Sequence, residues 1–344
     1  MPEGLSPKER IGAFLTGRPI DRTPCVPLVL NHAARLIGVT IKEYATDGQV
    51  MGRAHVAAFR RYGQDLITIF ADTAITAEAL GTVLHYPDDD VPRVEKPIVA
   101  DPADAEKLRP VDVRTAGRLP VYLEAIRHSV REVGDEVFVS CCYPAPFSMA
   151  AALRGTDMLA RDLIKRPELA HALLTVSTKV TCDFAEAVVE AGGIPVLVDP
   201  VASGSVLSRK AFEEFVLPYL VTSFEKIKSL GAAPILHICG RTSNVIDLMA
   251  RSGAAVLSVD QIELSEARAK VGDKVCLMGN VRPAATLLEG SAEDVRREAR
   301  KCLDDCKTSP GGFILASGCE VPIETPPANV RALIEAAETY GRMS

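Results

Sequence analysis

Three side chains carry the first chemical signal in this chain. His237 and Cys239 stand two residues apart at the end of the apolar run APILHIC, and Cys319 follows another apolar run in ASGCEVP. On a strand, residues i and i+2 project from the same face, so His237 and Cys239 leave one strand end on the same side. Cys319 meets them only if the fold returns its strand to the same rim. One imidazole and two thiolates make a nitrogen and sulfur donor set that suits zinc. Three protein ligands leave a fourth position open to a reactant, the arrangement of a catalytic rather than a structural zinc. The competing reading is two buried cysteines and a satisfied core histidine, since cysteine is often buried without further role.

The elements that must position these residues show in the apolar runs. Eight short runs, at 25–30, 65–70, 137–141, 194–199, 233–239, 254–260, 274–280 and 312–318, have the composition of strands. Most are rich in Val, Ile and Leu without alternation, as strands covered on both faces are. Amphipathic helical stretches lie between them, among them 156–180, 209–230, 243–251 and 292–307, with Pro167 expected to split the first. Alternating strands and helices imply a parallel sheet. Eight such repeats predict an α/β fold, a (β/α)8 TIM barrel spanning 1–344 as one domain with an N-terminal helical extension. Roughly 60 residues separate the second and third strands, more than a usual connection. The polar, proline-rich YPDDDVP and KPIVADPADAEKL fall there, so an insertion is expected around 82–130. Two Rossmann-like halves are the alternative fold, but no G-x-G-x-x-G or G-x-x-x-x-G-K follows any strand, and no nucleotide cofactor is expected.

In such a barrel, chemistry sits at the C-terminal ends of the strands. Those ends offer His32, Asp72, Tyr143, Asp260, Gln261 and Asn280 as candidate substrate contacts. Asp199, in VDPVASGS, is either a turn residue before Pro200 or a carboxylate that orients a ligating imidazole, and it joins His237, Cys239 and Cys319 in the candidate catalytic set. Adjacent Cys141 and Cys142 point to opposite faces, so at most one looks into the barrel.

Composition bounds the function. Apolar content of 47% with 24% charged residues describes a soluble globular protein. No apolar run approaches the ~18 residues of a membrane span, so no membrane partner is expected. Net charge is −6 with no basic cluster, which argues against nucleic acid. Nine cysteines behind an N-terminus without a signal-like pattern read as thiols of a cytoplasmic protein rather than a disulfide framework.

Several long blocks resemble the uroporphyrinogen decarboxylase superfamily: GRPIDRTPCVP, YPAPFSMAAALRGTDML, DPVASGSVLSRKAFEEFVLPYL, GNVRPAATLLEGSAEDVRREARKCL and ETPPANVRALIEAAETYG. The resemblance covers essentially the whole chain and implies a (β/α)8 barrel. True decarboxylases carry an arginine-rich segment of FRQAGRY type after the first strand, where this chain reads LNHAARLIG with only Arg35. HICG followed by GCEVP is similar instead to the zinc-dependent, corrinoid-linked methyltransferase branch, which implies His237, Cys239 and Cys319 as zinc ligands. Members that methylate thiols such as coenzyme M tend to read GCG-x-AP at the last ligand; here it is Gly318-Cys319-Glu320-Val321-Pro322. The chain has no D-x-H-x-x-G corrinoid segment, so the resemblance implies a corrinoid carried by a partner protein and a small-molecule methyl donor or acceptor. The expected activity is demethylation of a small O-methyl compound, with methylcobamide:thiol transfer as the alternative. A tetrapyrrole decarboxylase and a non-catalytic zinc-stabilised scaffold are the remoter ones.

Overall fold

All eight apolar runs form strands. The computed structural model describes residues 4–343. It has β1 (Cys25–Val26), β2 (Leu66–Ile69), β3 (Val83–His85), β4 (Arg93–Lys96), β5 (Phe138–Pro144), β6 (Ile194–Val198), β7 (Ile235–Arg241), β8 (Val256–Gln261), β9 (Cys276–Val281) and β10 (Phe313–Ser317). Eight of them make one parallel sheet in the order β1-β10-β9-β8-β7-β6-β5-β2. Chain order therefore runs around a ring whose seam lies between β1 and β2. There the Asp65 N–H donates to the Cys25 carbonyl at 2.9 Å, and the Asp65 carboxylate accepts from the Cys25 N–H at 2.7 Å. The fold is the expected α/β barrel.

Proline shapes the local departures. The run 25–30 pairs over two residues only, because Pro24 and Pro27 have no N–H for the ladder. The stretch 156–180 divides into helices Thr156–Lys165 and Pro167–Glu190, with Pro167 at the first turn of the second, where its missing N–H costs nothing. Pro218 plays the same part in the break between Arg209–Phe215 and Leu217–Ser229.

Apolar side chains gather in two bodies. The larger lies between the strands and the outer helices and holds Tyr62, Phe184, Phe212 and Phe224. The smaller fills part of the barrel axis with Leu28, Phe70, Val198, Met278 and Ile314. In the outer layer, helix Gly48–Tyr62 packs against helix Leu119–Val133. Gly48 and Gly52 share one face of the first; a Cβ on either would lie 2.5 Å from the Val121 carbonyl or 2.7 Å from the His128 side chain, so only glycine permits this approach.

Between β2 and β5 the chain leaves the barrel as the antiparallel hairpin β3–β4 and a short 3-10 turn at Pro102–Lys107. Two buried arginines fasten this excursion. Arg118 reaches Asp72, Glu78 and the Tyr86 hydroxyl, and Arg154 donates to the Val99 and Ala100 carbonyls. The hairpin tip thereby lays Val91 and Pro92 over the barrel mouth. Among the described residues no helix is long and apolar enough to cross a membrane.

Candidate functional site

Strand register assembles the mouth. His237 and Cys239 lie on the lumen face of β7, and Cys319 lies just beyond β10 on the same rim. One ligand atom from each, a ring nitrogen and two sulfurs, fall within 4.8 Å of one another. The nearness of the two sulfurs holds the Cys239 thiol below its ordinary range and pushes Cys319 up, with burial adding to the rise. Two soft sulfurs and an imidazole at this spacing are a donor set that fits zinc.

Neighbouring groups orient these three. His237 stands opposite Ser258 in the β7–β8 register, and its Nδ1 lies 3.0 Å from the Ser258 Oγ. With Nδ1–H donating there, the Nε2 lone pair is left for a ligand. Asp260 bonds one cysteine loop and packs against the other. Its Oδ2 accepts from the Gly240 N–H at 2.9 Å, and its Oδ1 lies 2.8 Å from where a Gly318 Cβ would sit, so glycine is needed beside Cys319. Asp199 is fully buried behind His237, its N–H donating to the His237 carbonyl. Its Oδ1 accepts from the Ser148 N–H and hydroxyl, while Oδ2 has no protein partner. Burial pushes this carboxyl up to about 7. Asp199 therefore fixes the strand that carries His237, and Ser258 fixes the ring.

The remaining candidates divide. Asp72 lines the cavity beneath the mouth, paired with Arg118 at 2.8 Å. Tyr143 does not reach it. β5 alternates, so Cys142 faces the lumen and Tyr143 turns outward to stack edge-on against Phe184. His32 is also turned away, with one ring nitrogen on the Ile323 carbonyl and the other on the Tyr62 hydroxyl. Asn280 spends its amide on the Asp260 and Ile262 carbonyls, and Gln261 is exposed; both border a separate surface depression with Lys301 and Glu298. Tyr143 and Gln261 alternate away from the axis, and His32 lies in the helix after its run; strand parity does not explain Asn280, which stands two residues from the inward Met278.

Glu320 was not among the candidates, yet it belongs to the mouth. It lines the cavity beside Cys319, and both hydrogen bonds from Asn31 land on Oε1, leaving Oε2 toward the cavity. Burial pushes its carboxyl up to about 7. The one sequence signal was its place directly after Cys319 in GCEVP. Ser258 was missed as well; only its pairing with His237 reveals it.

Comparison with known proteins places this architecture. The uroporphyrinogen decarboxylase (URO-D) family model matches residues 6–340. The methylcobamide:CoM methyltransferase MtbA of Methanosarcina acetivorans is 30% identical over 341 residues, covering 97% of this chain and 98% of that protein. A uroporphyrinogen decarboxylase of Dechloromonas aromatica is 28% identical over 294 residues, 83% of this chain and 81% of that one. A solved methyltransferase from Methanosarcina mazei superposes with a TM-score of 0.89 at 27% identity, covering 97% of this chain and 99% of that one. The chain belongs to the uroporphyrinogen decarboxylase family, and its likeness within that family runs to the methyltransferases.

Proposed function

We propose that this protein is a zinc-dependent methyltransferase of a corrinoid-dependent system. It takes the methyl group of a small O-methyl compound, a methoxylated aromatic being the leading class, and passes it to the Co(I) of a separate corrinoid protein. The observation that carries this reading is the convergence of His237, Cys239 and Cys319 within 4.8 Å over an apolar cavity. Bound by these three, zinc supplies a Lewis acid that draws charge from an ether oxygen or acidifies a thiol.

The chain's own residues do the rest. Ser258 keeps the His237 ring in the tautomer and angle a ligand requires. Asp260 bonds the Cys239 loop, and Gly318 lets the Cys319 loop pack against that carboxylate. Leu28, Phe70, Val198 and Met278 exclude water below the donors, which strengthens every polar interaction made there. In the transfer the carbon–oxygen bond breaks, its electron pair stays on oxygen, and the methyl carbon joins the partner's cobalt, which supplies the pair as Co(I). The oxygen leaves as phenolate or alkoxide and is protonated in water.

Methylcobamide:thiol transfer is the second reading, favoured by the identity to MtbA. Tetrapyrrole decarboxylation is disfavoured, because the cavity, of about 220 Å³, is smaller than such a ring system, and its described lining contains no Lys or Arg to grip substrate carboxylates.

The test is spectroscopic. The zinc-loaded protein is mixed with a Co(I) corrinoid protein and 2-methoxyphenol. Growth of methyl-cobalt absorption supports ether demethylation; loss of that absorption from a premethylated corrinoid with a thiol supports the second reading. No change with either defeats both.

A further inference from the structure

Below the three donors the barrel axis is not filled. Barrels of this kind pack the axis with layers of bulky branched side chains. Here Thr68, Ser140, Cys142 and Ser258 occupy inward positions on three strands, and about 220 Å³ remains between them. The hydroxyls do not make the space polar. Those of Ser140 and Thr68 bond to each other at 3.0 Å, and that of Ser258 is engaged by His237. The walls are Leu28, Leu30, Phe70, Val196, Val198 and Met278. An apolar cavity of about 150 Å³ holds one benzene ring. This chamber therefore takes one ring with a small substituent, and no more.

Charge sets the sign of the occupant. No Lys or Arg occurs among the described lining residues, and the two carboxyls are Asp72, already paired with Arg118, and Glu320. An anionic head placed below the donors would lose its water without gaining a cationic side chain, and would face the Glu320 carboxyl. A neutral ring meets no such penalty. A ring hydroxyl could donate to Glu320 Oε2, which takes no bond from Asn31.

We propose that the barrel lumen is the substrate pocket and that it selects a neutral aryl methyl ether, with the ring below the donors and Glu320 accepting from a ring hydroxyl. This rests on the methyl-transfer reading, and it narrows that reading against a sulfonate-bearing thiol such as coenzyme M.

Calorimetry on the zinc-loaded protein tests it with three probes: 2-methoxyphenol, methoxybenzene and 2-mercaptoethanesulfonate. Both rings should bind, and Cys142→Phe, which fills the chamber, should weaken both about tenfold or more. Cys142→Met fills less, is the safer fold, and should weaken them to a smaller extent. Glu320→Gln should weaken 2-methoxyphenol and spare methoxybenzene. Zinc content should stay at the wild-type level throughout. The proposal is overturned if Cys142→Met and Cys142→Phe keep wild-type circular dichroism and leave ring affinity unmoved, or if 2-mercaptoethanesulfonate outcompetes both rings. Ring binding that filling abolishes, with no methyl-cobalt formed from either ring, upholds the pocket and sinks the methyl-transfer reading. Thiol-dependent demethylation of methylcobalamin that Cys142→Phe leaves untouched does the reverse.

Discussion

Asp65 at the base of the barrel and Asp199 and Glu320 at its mouth are buried carboxyls treated in opposite ways. At the base, Asp65 accepts from Arg10, from Arg22 and from the Cys25 N–H, so both of its oxygens are matched. Arg10 also grips Asp21, which ties the N-terminal helix Pro7–Leu15 to the seam. At the mouth, Asp199 keeps an unpartnered Oδ2, Glu320 turns an oxygen toward a cavity, and two sulfurs and an imidazole crowd together. A buried charge is tolerated only when its partners are complete. Completion at the base stabilises the ring where its ladder is shortest. Incompletion at the mouth is a cost that makes sense if a ligand supplies what is missing.

The sharpest way to test that contrast is to remove one group at each end. His237→Ala, Cys239→Ala or Cys319→Ala should abolish methyl transfer and zinc binding while leaving the urea midpoint near wild type, because the barrel does not depend on these donors. A cooperative loss of structure at room temperature in any of the three would make the site structural. Asp65→Ala should do the converse. It takes from Arg22 its carboxylate partner and from Arg10 one of two, and the loss should be about 3–5 kcal/mol of unfolding free energy. The folded fraction should still bind zinc with wild-type stoichiometry. A change under about 1 kcal/mol would mean the base cluster is as dispensable as an exposed pair.

Sequence and structure agree where burial alone decides. Runs such as IPVLVD and GFILASG are covered on both faces, and their shortness, branched residues and flanking Gly or Pro separate them from buried helix. His237, Cys239 and Cys319 were legible because two share a strand face and the third follows a parallel strand. Tyr143 and His32 were not, since facing depends on where a strand ends: β5 continues to Pro144, and His32 already lies in the helix His32–Leu36. Ser258 was hidden for a different reason. Nothing in a single chain announces which residue of β8 stands opposite His237; register is a property of the assembled sheet.

Ser258 gives the next test, smaller because it acts through the ring it holds. Ser258→Ala leaves Nδ1 without a fixed partner, and zinc affinity should fall about 10–100-fold with the fold intact. Chelator competition reads this directly. Asp199→Asn should leave affinity closer to wild type, because its bonds run to Ser148 and to the strand backbone rather than to the imidazole. If the two variants exchange these outcomes, Asp199 is the orienting group after all.

The seam offers the finest comparison, since its upper end is stitched without charge. The Tyr44 hydroxyl donates to the Phe70 carbonyl and sits 2.7 Å from His55 Nε2, linking the end of β2 to the middle of helix Gly48–Tyr62. Burial pushes the His55 pKa down to about 3, so the folded protein keeps the ring neutral. Unfolded, the same ring titrates near 6.5. Between those values the unfolded chain binds a proton that the native chain does not, so this ring's contribution to stability falls as pH drops below 6.5, by about 1.4 kcal/mol per unit, while Asp199 and Glu320, raised to about 7, take up protons in the native state and oppose it. Burial lowers His32 too, which adds to the slope. Urea unfolding at pH 7.5, 6.5 and 5.5 should show wild type losing stability relative to His55→Gln as pH falls, since the carboxyl contributions are common to both. The ionic base should not share it, because its carboxylate is held by arginines that stay charged throughout this range. Parallel slopes in the two proteins would mean that His55 already takes up its proton in the native state, and that the upper seam is as ionic as the lower.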